Sequence, residues 1–293
     1  MVRTERFLGL YLLIPTLLVI GAIFVWPLGY AVWVSFTSKH LLRSGEKLVG
    51  LANYVQVLQS GSFWHSLRVG VLWTVSVVFF QVAVGLGTAL LLHETFFARS
   101  TVRGLFVFPY MVPPVVAATV WRWIFNDMYG TLNYFLLSTG LASSRLSWLG
   151  DPQLAMPAVV IANVWQYFPF ATLCFLARLT AIPIDLYEAA RVDGASAWKR
   201  FTSITMPQMW DVFTLVLLLR GIWMFNNFQS IYLYTQGGPL RSTEHVPILI
   251  YRDVFDRWKL SLGAAEAVLA MLILFGVASI YLWLMRFGRQ ETA

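Results

Sequence analysis

Six long apolar runs are the feature that most constrains the fold of this chain. A helix needs roughly 20 residues to cross about 30 Å of hydrocarbon, and each run is close to that length or longer. Hydrophobic residues make up 58% of the chain and charged residues 12%, against roughly 25% charged in soluble domains. We therefore predict an all-α, polytopic membrane protein with six transmembrane helices. The runs lie at residues 7–38, 69–92, 104–121, 154–177, 221–240 and 260–285.

A soluble fold or a β-barrel accounts for these runs less well than membrane helices do. Buried core helices of a large soluble protein would leave too little polar surface to cover a globule. Strands of an outer-membrane barrel would alternate apolar and polar positions, which these continuous runs do not. A signal peptide is an alternative for the first run, which follows Arg3 and Arg6, but the run is too long and lacks a small-x-small cleavage site. We expect a retained anchor.

The charge balance says little about partners. The net charge of +7 does not predict nucleic-acid binding, because basic residues near span ends also arise from membrane topology. With a cytoplasmic N-terminus, the inside and outside segments carry equal numbers of Lys and Arg, and the inside segments are shorter. Charge alone therefore favours that orientation only weakly. The single cysteine, Cys174, forms no internal disulfide, and we interpret it as a small buried residue.

Signatures of catalysis and metal binding are absent from the sequence. None of the four lysines follows a glycine, which excludes the phosphate-binding loop G-x4-G-K-[S/T]. The histidines are scattered without the spacing of zinc or haem ligands. We expect no enzyme activity, no metal and no cofactor in this chain. The segments between the runs are too short to fold alone, so residues 1–293 are predicted to form a single transmembrane domain.

Proline and glycine interrupt several runs. Pro113 and Pro114 lie in the third run, and Gly237, Gly238 and Pro239 end the fifth. Proline within a span frees backbone carbonyls, which neighbouring helices or a cavity must satisfy. Plain helix kinking without a functional role explains these positions equally well.

A polar, helix-forming segment lies between the fourth and fifth runs. Asp185 is placed to cap a helix whose third residue is Glu188, in a capping box. Gly194 suits a left-handed C-terminal cap, and Ser196 can open a second short helix that Pro207 closes. The charges of the segment nearly balance, so anionic lipid explains it poorly and a partner protein explains it better.

The residues of this segment also carry a family resemblance. The segment resembles the EAA signature of membrane subunits of binding-protein-dependent ABC importers. The matching residues are Glu188-Ala189-Ala190, then Gly194 after three residues, and Ile204-Thr205-Met206-Pro207 after nine more. Met206 stands where the family form has Leu. The likeness covers roughly residues 10–285. Supporting segments are Gly50-Leu51-Ala52-Asn53-Tyr54, residues 109–114 and residues 225–239, the last of which is similar to the sugar-importing, MalF-type branch.

The resemblance implies an architecture and a set of partners. The fold would be a type I ABC importer permease of six helices, forming half of a pore in a bacterial or archaeal cytoplasmic (inner) membrane. Its protein partners would be a sibling permease in a heterodimer, two ATPase subunits that bind ATP and Mg, and an extracytoplasmic solute-binding protein. The chain would also contact a sugar substrate and membrane lipid, and it would bind no nucleic acid. Residues 182–208 would be a cytoplasmic loop that couples to the ATPases, which places both termini in the cytoplasm. The coupling residues carried over are Glu188, Ala189, Ala190, Asp193 and Gly194.

Polar side chains within spans are costly and are usually functional, so they predict where a substrate binds. On the fourth run, Asn163, Tyr167 and Phe170 are spaced to share one helix face. A similar stripe is predicted on the fifth run. Amide side chains bind sugars by hydrogen bonds and aromatic rings stack on them, and the two stripes supply both kinds of group. The residues of this second stripe are Arg220, Met224 with the adjacent Trp223, Asn227 and Ile231.

Comparison with the family pattern qualifies the substrate. Asn163 resembles a sugar-contacting asparagine and Phe170 an aromatic contact of the MalF type. Three positions depart from that pattern. The pattern has a small residue at the position of Tyr167, an asparagine at that of Met224 and a small polar residue at that of Arg220. These departures argue against maltose itself and favour a smaller or differently shaped sugar.

Several alternatives stay open at the level of sequence. Arg220 can recognise an anionic substrate, so a polyol phosphate such as glycerol 3-phosphate is the second substrate class, or it can pair with a partner subunit. Asn163 and Asn227 can instead form interhelical hydrogen bonds, worth roughly 0.6–2 kcal/mol each. A secondary transporter would need carboxylates within the spans, and a membrane enzyme would need clustered His, Asp or Glu. The spans contain no carboxylate beyond their edges and the sequence has no such cluster. It does not identify the sugar, the sibling or the ATPase.

Overall fold

The computed structural model describes residues 13–43 and 45–290, without the side chains of 286–290. Within these residues the chain is helical and forms no β-strand. The helices are α1 (Leu13–Ser35), α2 (Ala52–Gln59), α3 (Gly61–His93), α4 (Arg99–Met111), α5 (Pro114–Ile124), α6 (Thr131–Ser138), α7 (Ala155–Thr180), α8 (Ile184–Val192), α9 (Ala197–Phe225), α10 (Phe228–Tyr234), α11 (Val246–Tyr251) and α12 (Leu260–Gln290).

The number of spans agrees with the prediction when one broken helix is counted as a span. Among the described residues, α1, α3, α7, α9 and α12 are long and apolar enough to cross a membrane. The third run is the pair α4 and α5, which bends by 95° at a short break. Pro113 and Pro114 explain the break, because proline lacks a backbone N–H and constrains the residue before it. Arg3, Arg6 and both termini lie outside the described residues.

The predicted position of the fifth span is wrong. The span is α9, which begins at Ala197 and ends at Phe225, whereas the run at 221–240 is interrupted after Phe225. Helix α9 passes through Pro207 because a π-helical turn at Phe201–Thr205 precedes it and accommodates the missing backbone donor. Ser196 opens α9 as expected, but Pro207 does not close it.

The described chain separates into two compact units. One comprises residues up to His65 together with Leu249–Val277, and the other comprises Ser66–Ile248 together with the segment after Val277. The single domain predicted for residues 1–293 stays a prediction. The second unit contains a continuous hydrophobic core in which α7 contributes more buried side chains than any other described helix, so α7 is its central element.

Close packing of α3 against α7 sets the geometry of the second unit. A Cβ atom at Gly85 would lie 2.6 Å from the Cβ atom of Ala171 and 3.2 Å from the backbone oxygen of Phe168. Only glycine permits this approach, as is common where helices pack within membranes. The contact brings the middle of α3 against the middle of α7.

In the first unit, Asn53 closes the end of α1. Its amide nitrogen donates to the backbone oxygens of Ser35 and Thr37, at 2.8 and 2.7 Å. These carbonyls lie at a helix C-terminus, where backbone acceptors have no partner within the helix. The Asn in the segment Gly50–Tyr54 therefore has a local structural role.

Candidate functional site

Asn163 lies at the centre of a buried polar network within the second unit. Its side-chain nitrogen donates to the hydroxyl oxygen of Ser230 at 2.7 Å, and its side-chain oxygen accepts from the amide nitrogen of Gln81 at 3.0 Å. The three residues belong to α7, α10 and α3. One asparagine thus joins three helices through both ends of its amide.

Gln81 is a site residue that the sequence interpretation missed. It is fully buried in α3, and its side-chain oxygen accepts from Nε of Arg220 at 2.8 Å. The available signal was its chemistry, because Gln81 is the only amide side chain in the run at 69–92. A buried polar group within a span needs a partner, and Gln81 supplies one to both Arg220 and Asn163.

Arg220 is enclosed by aromatic rings. Only 2% of its surface is exposed, and its guanidinium carbon lies 5.1, 5.8 and 5.7 Å from the ring centroids of Tyr167, Phe170 and Trp223. Cation–π contacts of this kind are worth about 2 kcal/mol when the pair is desolvated. Its Nη2 atom lies 3.6 Å from the sulfur of Met224. Across the described residues, no carboxylate lies within ion-pair distance of Arg220.

Arg220, Met224 and Asn227 reach the network, but the residues predicted on the fifth span do not share one helix face. Helix α9 ends at Phe225, and Asn227 is the N-cap of α10, where its side-chain oxygen accepts from the backbone nitrogen of Ser230 at 2.9 Å. Asparagine favours such a cap because its side chain competes with helical hydrogen bonds. The predicted stripe running through Asn227 to Ile231 is therefore wrong, although Asn227 contacts the network through Ser230.

His245 supports Asn227 from the loop after α10. Its Nε2 atom lies 3.2 Å from the backbone oxygen of Asn227, so Nε2 carries the proton and donates. The side chain is fully buried, and this burial lowers the pKa of His245 to about 3. His245 is therefore neutral at physiological pH, and its role is to hold Asn227 through a single hydrogen bond.

The break between α4 and α5 lies against the same face of α7. Gln166 is buried, and its amide nitrogen donates to the backbone oxygen of Val112 at 3.1 Å. This bond satisfies a carbonyl that the broken helix leaves free. Beside the break, the ring of Tyr110 lies 6.1 Å from the ring of Tyr167 and 6.4 Å from that of Phe170. Gln166 and Tyr110 were also missed by the sequence interpretation.

The predicted coupling segment has a different character. Glu188, Ala189 and Ala190 lie on α8, and Gly194 follows with a φ angle of +74°. The backbone nitrogen of Ala195 donates to the oxygen of Ala190 at 2.8 Å, which closes α8 as a left-handed C-terminal cap. Asp193 lies between the helix and this glycine, and it is exposed.

The predicted capping box at the start of α8 is wrong. The helix begins at Ile184 with Pro183 as its N-cap, and Asp185 lies inside the first turn without a capping hydrogen bond. Pro183 lacks a backbone N–H, which shifts the start of the helix ahead of Asp185. Asp185 still favours the helix electrostatically, because acidic residues are stabilised near a helix N-terminus.

A model of the family "Binding-protein-dependent transport system inner membrane component" matches residues 81–287. The trehalose/maltose transport system permease protein MalF of Thermococcus litoralis is 35% identical over 286 residues, with 98% of this chain and 96% of the relative covered. The inner membrane ABC transporter permease protein YcjO of Escherichia coli K12 is 35% identical over 277 residues, with 94% and 93% covered. The trehalose transport system permease protein SugA of Mycobacterium tuberculosis H37Rv is 32% identical over 288 residues, with 97% and 90% covered.

Solved structures bear on the fold. A chain of a bacterial ABC transporter involved in the import of the acidic polysaccharide alginate matches with a TM-score of 0.84, at 20% identity, with 97% of this chain and 96% of that chain covered. This likeness confirms the predicted all-α fold of an ABC importer permease. The family match confirms the resemblance that the EAA signature indicated. The chain belongs to the family of binding-protein-dependent transport system inner membrane components.

Proposed function

We propose that this chain is the permease subunit of an ATP-driven importer of neutral carbohydrates and forms half of its translocation pore. The observation that carries the proposal is the network of Gln81, Asn163 and Ser230 beside the rings of Tyr167 and Phe170. Amides and hydroxyls bind sugar hydroxyls, while aromatic rings stack on the apolar faces of sugar rings. Two relatives that cover nearly the whole chain are named for trehalose transport, which supports a disaccharide of this kind.

The environment of Arg220 favours a neutral substrate over an anionic one. Its Nε atom is committed to Gln81, and three aromatic rings lie against its guanidinium. Recognition of a phosphate would need several free N–H donors in a fork. In our proposal Arg220 organises Gln81 and the rings, and glycerol 3-phosphate is not a favoured substrate.

The coupling role belongs to the segment 182–208. Apolar side chains on α8 are exposed, among them Ile184, Leu186 and Val192, and an exposed apolar patch outside the spans fits a protein partner. Glu188 can pair with a basic residue of an ATPase subunit, while Ala189 and Ala190 permit close approach. ATP and Mg would bind that partner rather than this chain.

The family supports a proposal for the remaining partners and for the topology. The chain would pair with a sibling permease, two ATPase subunits and an extracytoplasmic binding protein, in the cytoplasmic membrane of a bacterium or archaeon. The coupling segment and both termini would lie in the cytoplasm. A site near mid-membrane would then open alternately to the binding protein and to the cytoplasm.

Reconstitution of the whole assembly tests the proposal. Proteoliposomes with the chain, its sibling, the ATPase subunits and the binding protein are assayed for ATP hydrolysis and uptake with trehalose, maltose or glycerol 3-phosphate. We expect trehalose or maltose to stimulate both activities and glycerol 3-phosphate to stimulate neither. Stimulation by the phosphate alone would contradict the neutral substrate, and an assembly without sugar-stimulated ATP hydrolysis would contradict the function itself.

A further inference from the structure

Helix α8 faces the rest of the chain with only one narrow side. Of its nine residues, Tyr187 and Ala190 are half-buried and the others are exposed. These two lie three residues apart and therefore on one face of the helix. The ring of Tyr187 packs against the hydrophobic core of the second unit. Tyr187 is thus the long side chain that holds α8 to the body of the protein.

The hydroxyl of Tyr187 forms a hydrogen bond to α9. It lies 3.0 Å from Oγ1 of Thr205, and either hydroxyl can be the donor. Thr205 is buried, so each hydroxyl supplies a partner that the other would be costly to lose. No other side chain of α8 forms a hydrogen bond or an ion pair with the part of the chain that the structure describes. This single bond therefore joins α8 to α9 directly, in addition to the turn between them.

The turns at both ends of α8 would otherwise allow the helix to swing. Residues 181–183 connect it to α7, and a turn through Gly194, with a φ angle of +74° and open space around it, connects it to α9. Residues in loops and at the ends of helices are those that absorb large changes of backbone dihedral angles. A movement imposed on α8 would be absorbed by these turns unless a side chain tied the helix down. The bond between Tyr187 and Thr205 is such a tie.

Thr205 lies where α9 is least regular. It is the last residue of the π-helical turn, and Pro207 follows inside α9 without a backbone N–H. Helices bend at π-helical turns and at prolines. From Met206 onward α9 is regular, and Arg220 lies about 22 Å further along it than Thr205. A small rotation at Thr205 therefore displaces the end of α9 that carries Arg220.

We propose that Tyr187 is a positioning residue for transport, which transmits movement of the coupling segment to α9 and through α9 to the network around Arg220. The inference rests on the proposed function and names the contact by which this chain would carry the coupling. Tyr187 touches no substrate in this scheme, because it acts through Thr205. The π-helical turn beside Thr205 is the place where α9 bends when α8 moves.

The first test measures the sugar imported per ATP hydrolysed in the reconstituted assembly with trehalose. Tyr187→Phe keeps the ring and removes the bond, and Thr205→Val replaces the hydroxyl by a methyl group. We expect each variant to lower the ratio by about fivefold, the factor that one hydrogen bond is worth. The double variant should be no worse than either single variant, because both changes remove the same bond. Thr205→Ser, which keeps a hydroxyl, should retain the wild-type ratio.

Thr202→Val is the matched control. Thr202 belongs to the same π-helical turn and is exposed, and its hydroxyl donates at 3.0 and 3.3 Å to backbone oxygens of the preceding turn of α9. We expect this variant to keep the wild-type ratio. A wild-type ratio in Tyr187→Phe, an equal loss in Thr202→Val, or additive losses in the double variant would overturn the inference.

A cross-link tests the same contact by rescue, which a variant that merely fails to fold would not show. In a Cys174→Ala background, Tyr187→Cys and Thr205→Cys are combined and joined with a short bifunctional methanethiosulfonate. We expect the two changes to lower the ratio and the link to restore it, because a covalent tie replaces the hydrogen bond. The same treatment with Thr202→Cys in place of Thr205→Cys should restore nothing. A link that forms without restoring the ratio, or thiols that cannot be joined, would refute the role of this contact.

The proposed function and the role of Tyr187 fail in different ways. A wild-type assembly without sugar-stimulated ATP hydrolysis refutes the importer itself. A wild-type assembly that couples hydrolysis to import, together with a wild-type ratio in Tyr187→Phe, refutes only the transmission through Tyr187.

Discussion

Gln81 is the residue through which Arg220 and Asn163 are coupled. Its side-chain oxygen accepts from Arg220 and its nitrogen donates to Asn163, so both ends of the amide are committed. A buried polar group that loses its partner costs about 1–3 kcal/mol, because it has been desolvated without compensation. Arg220, Gln81, Asn163 and Ser230 therefore form one hydrogen-bonded network. A substitution at one of these residues changes the hydrogen bonds of the others.

His245 is expected to make stability depend on pH. Burial lowers the pKa of His245 to about 3 from the ordinary 6.5. Between these values the unfolded chain binds a proton that the folded protein excludes, so the free energy of unfolding falls as the pH falls below 6.5. Above that pH the histidine has no effect. From pH 7 to pH 5 its contribution is a loss of roughly 2 kcal/mol.

Thermal unfolding of the purified protein at pH 7 and at pH 5 measures this loss. His245→Gln is the matched variant, because a glutamine amide can donate to the backbone oxygen of Asn227 but does not titrate in this range. We expect the drop in Tm between the two pH values to be smaller in the variant than in the wild-type protein. An identical drop in both proteins would show that the histidine remains able to take up a proton in the folded state.

The sequence revealed these site residues unevenly. Asn163 and Arg220 were recognisable because a polar side chain inside an apolar run is costly unless it has a role. Gln81 carried the same signal, yet its partners come from helices far apart in the chain, which spacing within one run does not show. Tyr110 lies in the segment 109–114 that resembles the family, but the sequence did not place it at the site, because only the packing of α4 against α7 brings it there.

At the scale of the elements, the lengths of the spans were more predictable than their ends. Apolar runs set where a helix can cross, and α3, α7 and α12 each coincide with a predicted run. The ends of helices depend on which of several neighbouring residues caps the helix. Asn226 and Asn227 end α9, and Pro183 instead of Asp185 is the N-cap of α8. The 95° break in the third span depends on prolines that equally allow a mild kink, so its sharpness was not predictable.

The contact of α3 with α7 is expected to depend on Gly85. A methyl group there would lie 2.6 Å from the Cβ of Ala171, so the helices would have to separate. Gly85 lies one turn after Gln81, and separation would also lengthen the bond to Asn163. We expect Gly85→Ala to destabilise the protein by about 1–3 kcal/mol, as overpacking does.

Gly87 is the matched control, since a Cβ placed there would meet no other described residue within 4 Å beyond the adjoining turns of its own helix. Thermal unfolding of Gly85→Ala and Gly87→Ala distinguishes packing from helix propensity, because both changes improve that propensity alike. Gly85→Ala should lower the Tm and reduce uptake, whereas Gly87→Ala should not. Equal Tm values for the two variants would contradict the close contact.

The turn after α8 is expected to need a residue that tolerates a left-handed backbone. Gly194 has a φ of +74° with open space around it, so a substitution there is strained by backbone conformation and not by a clash. Gly194→Val should cost about 1–2 kcal/mol locally and displace the coupling segment. Asparagine adopts this conformation more easily, which makes Gly194→Asn the control.

The ratio of sugar-stimulated to basal ATP hydrolysis in the reconstituted assembly reports this displacement. We expect Gly194→Val to lose most of the stimulation while the Tm of the purified chain falls by only a few degrees, because the strain is confined to an exposed turn. Gly194→Asn should retain the stimulation. Full stimulation of the valine variant would mean that the turn does not take part in coupling.

For the whole molecule, the bent pair α4 and α5 decides the topology. If the pair crosses the membrane, the described chain has six spans, and the loops before α4 and after α5 lie on opposite sides. If it re-enters, there are five spans and both loops share one side. Both halves are apolar and basic residues are balanced between the two faces, so labelling from one side of the membrane is the measurement that separates these cases.

Single cysteines in a Cys174→Ala background decide between the two topologies. Thr95 precedes α4, Ser144 follows α5 and Lys199 lies at the start of α9, and all three are exposed. With six spans and a cytoplasmic coupling segment, a membrane-impermeant maleimide added to intact cells should label Ser144→Cys but not Thr95→Cys or Lys199→Cys, which should react only after permeabilisation. If the cysteines at 95 and 144 are labelled from the same side, α4 and α5 form a re-entrant pair. The coupling segment then lies on the opposite side of the membrane from Thr95. That result would contradict the proposed contact with cytoplasmic ATPases if Thr95 proved cytoplasmic, because α8 would then face outward.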